Sequence, residues 1–295
     1  MQNELLKGLD SKTIRENNDF YRLTPDNSAL REIESTLTQT VFGQERAVKE
    51  VARAITRSMA GLGAPNRPSF SGLFLGEPGV GKTEMGKAIV NTFYAKNAED
   101  HLLVLDSANF NERHTTYKLT GSPPGYVGYG DKPLITPEFL FGPNVIVVDE
   151  IEKGCKEWHE TWLGILDRGK LSVPIGRTTY REVENKTLNF ANSLIVFTSN
   201  IGSAELRKAK IGGGGMGFGA EKRKLSDVGL TAFKDYFKSM PEFPNRLDSV
   251  IVFDNLADEV YPKLVDKFVE EYNVPSYFNN YFALTKEAKD FVISK

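Results

Sequence analysis

The sequence predicts an α/β domain in which a five-stranded parallel sheet lies between two layers of helices. Five short runs are nearly continuous in apolar, β-branched or aromatic residues: Gly72–Leu75, Leu102–Leu105, Val145–Val148, Leu194–Thr198 and Val250–Phe253. Strands buried on both faces have this composition. The stretches between the runs are long and largely helical in pattern, as crossovers between parallel strands must be. The first run also leads into Gly76-Glu77-Pro78-Gly79-Val80-Gly81-Lys82-Thr83, a glycine loop placed between a strand and a helix.

Residues 1–27 are polar and weakly periodic and read as an arm or linker. Pro25-Asp26-Asn27-Ser28 is a turn and helix-start signal, and a helix is expected over Ala29–Leu37. A stronger one is expected over Gln44–Leu62, where Ala47, Val48, Val51, Ala54, Ile55 and Met59 recur at the spacing of one buried face. The helix after the glycine loop should run from Thr83 to Tyr94. Two regions interrupt the alternation. Ser172–Asn189 is a polar stretch before the fourth strand, and the glycine-rich Ile211–Ala220 is not expected to hold a regular element. From Leu256 the pattern is helical, with Val260, Leu264, Val265 and Phe268, then Ala288–Ile293. The division that follows is an arm (1–27), a main α/β domain (28–254) and the start of a small helical subdomain (255–295).

Composition narrows the function. Of 295 residues, 40% are hydrophobic and 26% charged, enough to bury a core. A net charge of −2 lacks the basic excess expected of a protein that holds nucleic acid, so no such partner is expected. The basic clusters Arg207–Lys210 and Lys222–Lys224 flank the glycine run and read as solvated loop. Cys155 is the single cysteine, which rules out an internal disulfide and suits a reducing compartment. The start of the chain is unlike a signal peptide, and no apolar stretch approaches the ~20 residues that span a bilayer. A cytoplasmic protein without membrane contact is the expectation.

The glycine loop fits G-x-x-x-x-G-K-[ST]. Glycines let backbone N–H groups curl around phosphate oxygens, and the next helix points its positive end at the same anion. Lys82 would reach the β- and γ-phosphates of ATP, and the Thr83 hydroxyl would bind Mg²⁺. Val145-Ile146-Val147-Val148-Asp149-Glu150 supplies two acids at a strand end. Asp149 would hold the metal's water shell and Glu150 would activate the attacking water. Adjacent acids also start helices, and it is the pairing with the glycine loop that selects the catalytic role. Asn200, in Thr198-Ser199-Asn200, would orient that water if the sheet sets the two strands side by side. The other reading is an asparagine in a turn.

These segments together carry a resemblance. Gly61–Pro68 running into Phe74–Glu84, and Val41-Phe42-Gly43-Gln44, look like the entry to the second ATPase module of the Clp proteins, which are AAA+ unfoldases and disaggregases. Leu119–Tyr129 is similar to that module's pore loop. Asp149-Glu150-Ile151-Glu152-Lys153 resembles its Walker B segment, and Pro241–Asp248 its arginine-finger segment. The matches run in the family's order from about residue 28 to residue 254.

The resemblance implies a three-layer P-loop AAA+ fold and specific roles. Val41 and Phe42 would flank the adenine, and Gly76, Glu77, Pro78, Gly79, Val80, Gly81, Lys82 and Thr83 would hold the nucleotide. Thr83 and Asp149 would serve the metal. Glu150 would be the catalytic base and Asn200 the first sensor. Arg246 would be a finger reaching a neighbour's nucleotide, which implies a homo-oligomeric ring, usually of six. Tyr126 would grip protein substrate in the pore, unless it is simply a turn tyrosine. Met216-Gly217-Phe218 matches the aliphatic-Gly-Phe tripeptide with which some relatives dock on a barrel-shaped peptidase. The alternative is a glycine linker whose apolar residues fold back.

Departures are also legible. Ala191 stands where many relatives carry arginine, and Thr178–Leu188 is longer than the family's second pore loop. A Gly-Ala-Arg-Pro-like motif with a second sensor arginine is absent from these residues, which implies a fragment or a partner that supplies it. The expected function is ATP hydrolysis coupled to threading of protein substrates. The alternative is a nucleotide-gated assembly or adaptor module with weak hydrolysis.

Overall fold

The computed structural model describes residues 27–62, 67–94, 97–122, 133–176, 183–212, 225–273 and 283–293. Helices α1 (Asn27–Thr40) and α2 (Glu45–Arg57) precede strand β1 (Phe70–Leu75). Helix α3 (Lys82–Phe93) leads to β2 (Leu102–Asp106) and β3 (Asn144–Asp149). Helix α4 (Lys156–Arg168) is followed by a hairpin, β4 (Lys170–Gly176) and β5 (Val183–Asn189), and then by β6 (Ser193–Ser199). Helices α5 (Ser203–Gly212) and α6 (Leu225–Tyr236), strand β7 (Ser249–Val252), and helices α7 (Tyr261–Asn273) and α8 (Lys286–Ile293) follow, with short helical turns in the connections.

The five predicted runs are the five strands of one sheet, in the order β2-β3-β6-β1-β7, and every neighbouring pair is parallel. Period-two alternation divides their side chains between two cores. Phe70, Phe74, Val145, Val147, Leu194, Val196 and Ile251 face α1, α2 and α3. Leu73, Leu75, Ile146, Val148, Ile195, Phe197 and Val252 face α4, α6 and an aromatic cluster of Trp158, Trp162, Phe233, Phe237 and Phe243. This is the three-layer arrangement expected of the sequence. The inner strands β1, β3 and β6 are buried on both sides and have no polar face, which is why their runs read as continuous, while the edge strand β2 is only partly buried.

Helix α3 can approach the sheet closely because residue 86 is glycine: a Cβ there would lie 2.5 Å from Val147 Cγ2. That approach fixes where the start of α3 stands over the strand that ends in Asp149.

Ser172–Asn189 departs from expectation. It is not merely a polar interruption but most of an antiparallel hairpin, paired Lys170↔Asn189 through Gly176↔Val183. Val173 and Leu188 enter the core while Ser172, Lys186 and Thr187 are exposed. With so few inward apolar positions the strand period was hidden. The glycine-rich stretch departs in part, since Ile211 and Gly212 close α5; the rest of it lies outside the described residues. Helix α2 ends at Arg57 and passes into a wider π turn over Ser58–Leu62, shortening the helix expected there.

Candidate nucleotide-binding and hydrolysis site

The order of the sheet brings the chemistry to one edge. Strand β6 lies between β1 and β3, so the segments that leave their carboxyl ends are neighbours: the glycine loop, Asp149-Glu150 and Asn200. Crevices outside the carboxyl ends of parallel strands are where this class of fold binds ligands.

The loop from Gly76 to Lys82 is built for an anion. Gly79 and Gly81 have φ of +78° and +96°, a region costly for a residue with a Cβ. Gly81 opens α3, so the helix starts at the loop and directs its unpaired N–H groups there. Lys82 is 6% exposed, and its Nζ donates to the carbonyls of Gly76 and Glu77, each at 2.7 Å, and to Asn200 Oδ1 at 2.8 Å. Burial lowers its pKa to about 8, opposed by the carboxylates of Glu152, Asp149, Glu150 and Glu77.

The acids are held from several sides. Thr83 Oγ1 donates to Asp149 Oδ1 at 2.8 Å, and the buried Thr198 hydroxyl donates to the same oxygen. Thr198 Oγ1 in turn accepts the Glu150 N–H at 2.9 Å. Asn200 Nδ2 donates to Glu150 Oε1 at 2.7 Å, so one amide bridges Lys82 and Glu150. Glu150 has φ +48° and ψ +56°. Left-handed backbone is uncommon outside glycine and carries a cost that the surroundings must support. Lys153 pairs with its carboxylate, which raises the Lys153 pKa.

Several contributors to this geometry had no assigned role at the level of sequence. Gln44 is 1% exposed; its Nε2 donates to Val80 O at 3.0 Å and Asp254 O at 2.7 Å, and its Oε1 accepts Asp254 N–H at 3.0 Å. It thus clips the glycine loop to the segment after β7. Glu152 Oε1 accepts the Asn200 N–H at 2.9 Å, and His159 Nε2 lies 2.7 Å from Ile151 O, bracing the turn after Glu150. Lys267 on α7 donates to Thr40 O at 3.1 Å and Glu84 Oε1 at 2.9 Å. None of these spacings forms a motif, because the partners lie far apart in the chain. Only Gln44, next to the expected adenine pair, carried a signal.

Val41, Phe42, Pro78–Glu84, Asp149, Glu150, Thr198 and Asn200 line one cavity of about 660 Å³, together with Leu256, Tyr261, Leu264, Val265, Lys267, Phe268, Val292 and Ile293. Apolar side chains and the polar groups of the glycine loop and the acids therefore share one cavity. A divalent cation also fits: the Thr83 hydroxyl and the Asp149 carboxylate are hard oxygen donors in contact. Among the described residues no group of three or more His, Cys, Asp or Glu could hold a metal. A cation here would need phosphate oxygens and water to fill its shell, which is how Mg²⁺ is usually held.

Arg246 stands elsewhere. It is not among the residues lining the cavity, and it pairs with Asp167 in the last turn of α4. Its segment is anchored to β1, where Asp248 Oδ2 accepts both the N–H and the hydroxyl of Ser71 at 2.8 Å. Tyr126 and Met216-Gly217-Phe218 lie outside the described residues. No described helix is long and apolar enough to cross a membrane.

A parallel sheet with a glycine loop after β1 and paired acids after β3 defines a P-loop ATPase. The chain belongs to the AAA domain (Cdc48 subfamily), whose family model matches residues 67–250. It is 38% identical over 255 residues to a chloroplastic ClpA-homologue ATP-binding subunit of Clp protease from Brassica napus, covering 84% of this chain and 27% of that protein. It is 38% identical over 268 residues to the chaperone protein ClpB of Aquifex aeolicus, covering 90% and 25%. Against ClpC of Staphylococcus aureus the identity is 35% over 268 residues, covering 90% and 31%. A solved closed-state structure of Hsp104 with ATPγS and FITC-casein superposes with a TM-score of 0.70 at 30% identity, covering 91% of this chain and 43% of that one. The chain spans about a quarter to a third of the length of these curated relatives. These likenesses bear out the Clp-type AAA+ ATPase module expected from the motifs.

Proposed function

We propose that this module hydrolyses ATP within a ring and uses the cycle to thread protein substrate past Tyr126. The observation that carries hydrolysis is the Asn200 amide bridging Lys82 and Glu150, beside the Thr83–Asp149 contact. Val41 and Phe42 flank the base, and the N–H groups of Gly79 to Thr83 surround the phosphates. When they bind, Lys82 exchanges its carbonyl partners for phosphate oxygens. Thr83 and Asp149 would hold Mg²⁺, directly or through water, and the cation would supply positive charge to offset that of the polyphosphate. Glu150 accepts a proton from the attacking water, and Asn200 holds the Glu150 carboxylate in place. Arg246, remote from its own cavity, acts on the nucleotide of a neighbouring subunit. Residues 255–295 belong to a small helical subdomain whose α7 and α8 close one side of the cavity. Relatives named as protease subunits and chaperones, and a relative solved with casein, support a protein substrate.

The second reading is a nucleotide-gated assembly module with weak hydrolysis. Steady-state ATPase activity across protein concentration separates the two. A motor that needs a trans finger shows specific activity rising with concentration, and Glu150→Gln lowers it by about 10²- to 10⁴-fold while retaining nucleotide binding. Activity that stays near background at every concentration, with intact binding, selects the assembly module.

A further inference from the structure

The phosphate loop of this chain has an acid in its first variable position. Glu77 follows Gly76 directly, and its own backbone carbonyl is one of the acceptors of Lys82 Nζ. A carboxylate so near a site for a polyanion opposes binding unless its charge is met. The charge is met by Arg207. Its Nε and Nη2 both lie on Glu77 Oε1, at 2.9 and 2.7 Å. Arg207 lies 130 positions further along the chain, on α5. A second contact joins the same two elements: Ser203 Oγ, in the first turn of α5, lies 3.2 Å from Gly76 O and 2.6 Å from Asn200 O. Helix α5 therefore grips Gly76 and Glu77 with one hydroxyl and one guanidinium, directly after the strand end that carries Asn200.

We propose that Arg207 is a positioning residue for the phosphate loop, neutralising Glu77 and fixing the Gly76–Glu77 turn so that the loop accepts nucleoside polyphosphates. The inference rests on the nucleotide-site reading and adds to it a residue outside the glycine loop and the paired acids. Arg207 is 61% exposed at its side chain and Glu77 23%, so the pair is partly screened and its effect is moderate. Losing Arg207 leaves Glu77 charged beside the incoming phosphates. Losing both charges removes the repulsion together with the pairing. The two substitutions are therefore coupled, as they would not be if Arg207 acted independently of Glu77.

The test is a double-mutant cycle on the whole chain, reading dissociation constants for a fluorescent mant-ADP probe at low and high salt. Arg207→Ala is expected to weaken binding about three- to fivefold, a surface-pair magnitude. In the Glu77→Gln background the same substitution should change binding by less than about twofold. Arg207→Lys should recover part of the loss, and high salt should shrink it. Unchanged affinity in Arg207→Ala overturns the inference, as does an equal loss with and without Glu77. Thermal unfolding of each variant identifies a loss that comes from misfolding. In that case the charge-swapped pair Glu77→Arg with Arg207→Glu decides: rescue relative to either single swap upholds the coupling, and no rescue overturns it. A parent chain that binds no mant-ADP overturns the nucleotide-site reading itself, and the inference falls with it.

Discussion

Lys82 is the residue on which most of the site converges. Its amine is buried, its pKa is lowered to about 8 by burial, and its three partners are two carbonyls and one amide oxygen, all neutral. The sign of the pH effect follows. A lysine whose folded pKa lies below the unfolded 10.5 disfavours folding while charged, so the unliganded chain gains stability as pH rises from about 8 towards 10.5. Nucleotide binding runs the other way. Phosphates favour the charged amine, so binding takes up a proton above pH 8. Affinity for mant-ADP is then expected to fall by about tenfold per pH unit above that point. Lys82→Arg, which stays charged throughout, should flatten that slope; an equal slope in the variant would assign it to another group. Lys82→Ala should weaken binding by about two orders of magnitude at neutral pH, as loss of a buried charge partner does.

At the scale of elements, the site depends on ties between segments that are distant in sequence. Gln44, in the turn between α1 and α2, joins the glycine loop to the segment after β7 through three hydrogen bonds. Gln44→Ala strands the Val80 and Asp254 groups and should cost about 1–3 kcal/mol. For a domain of this size that is a fall of several degrees in melting temperature, roughly 2–4 °C per kcal/mol. Gln44→Glu keeps the acceptor but sets a buried carboxylate oxygen against the two carbonyls, so it should cost at least as much as Gln44→Ala. The strands and the glycine loop were legible in the sequence because both announce themselves locally, by continuous apolar runs and by residue types at fixed spacing. Adjacency of β3 and β6, on which the role of Asn200 depends, was a condition that only the sheet order could meet. The ties made by Arg207 and Lys267 were not legible, since nothing in a local window distinguishes them from ordinary surface polar residues, and the segments that contain Gln44 and Glu152 gave no sign of their partners. The hairpin β4–β5 was missed for a related reason: its pairing, not its composition, makes it a strand pair.

At the scale of the whole molecule, the position of Arg246 is the feature with consequences for assembly. It is tied to Asp167 and, through Asp248, to the amino end of β1, while the cavity lies at the carboxyl end. A finger placed there would serve another subunit. Arg246→Ala should leave mant-ADP affinity within about twofold of the parent, a surface-charge effect, yet remove ATPase activity. Mixing Arg246→Ala with Glu150→Gln subunits should restore activity, because one type of interface then combines an intact finger with an intact base. Co-assembled mixtures that stay inactive at every ratio would falsify the trans role.

The strand order also bears on how the chain is made. Strand β1 is apolar on both faces, and its two neighbours in the sheet are β6 and β7. On a ribosome, β1 emerges roughly 120 residues before β6, a wait of about 6–24 s at ordinary elongation speeds. During that interval the sheet has a missing centre, and Phe70-Ser71-Gly72-Leu73-Phe74-Leu75 is an unpaired sticky segment. Nascent chains arrested before residue 193 should therefore be digested readily by protease, and protection should appear once β6 and then β7 have cleared the exit tunnel. The chain would depend, through its own topology, on being shielded while it is synthesised.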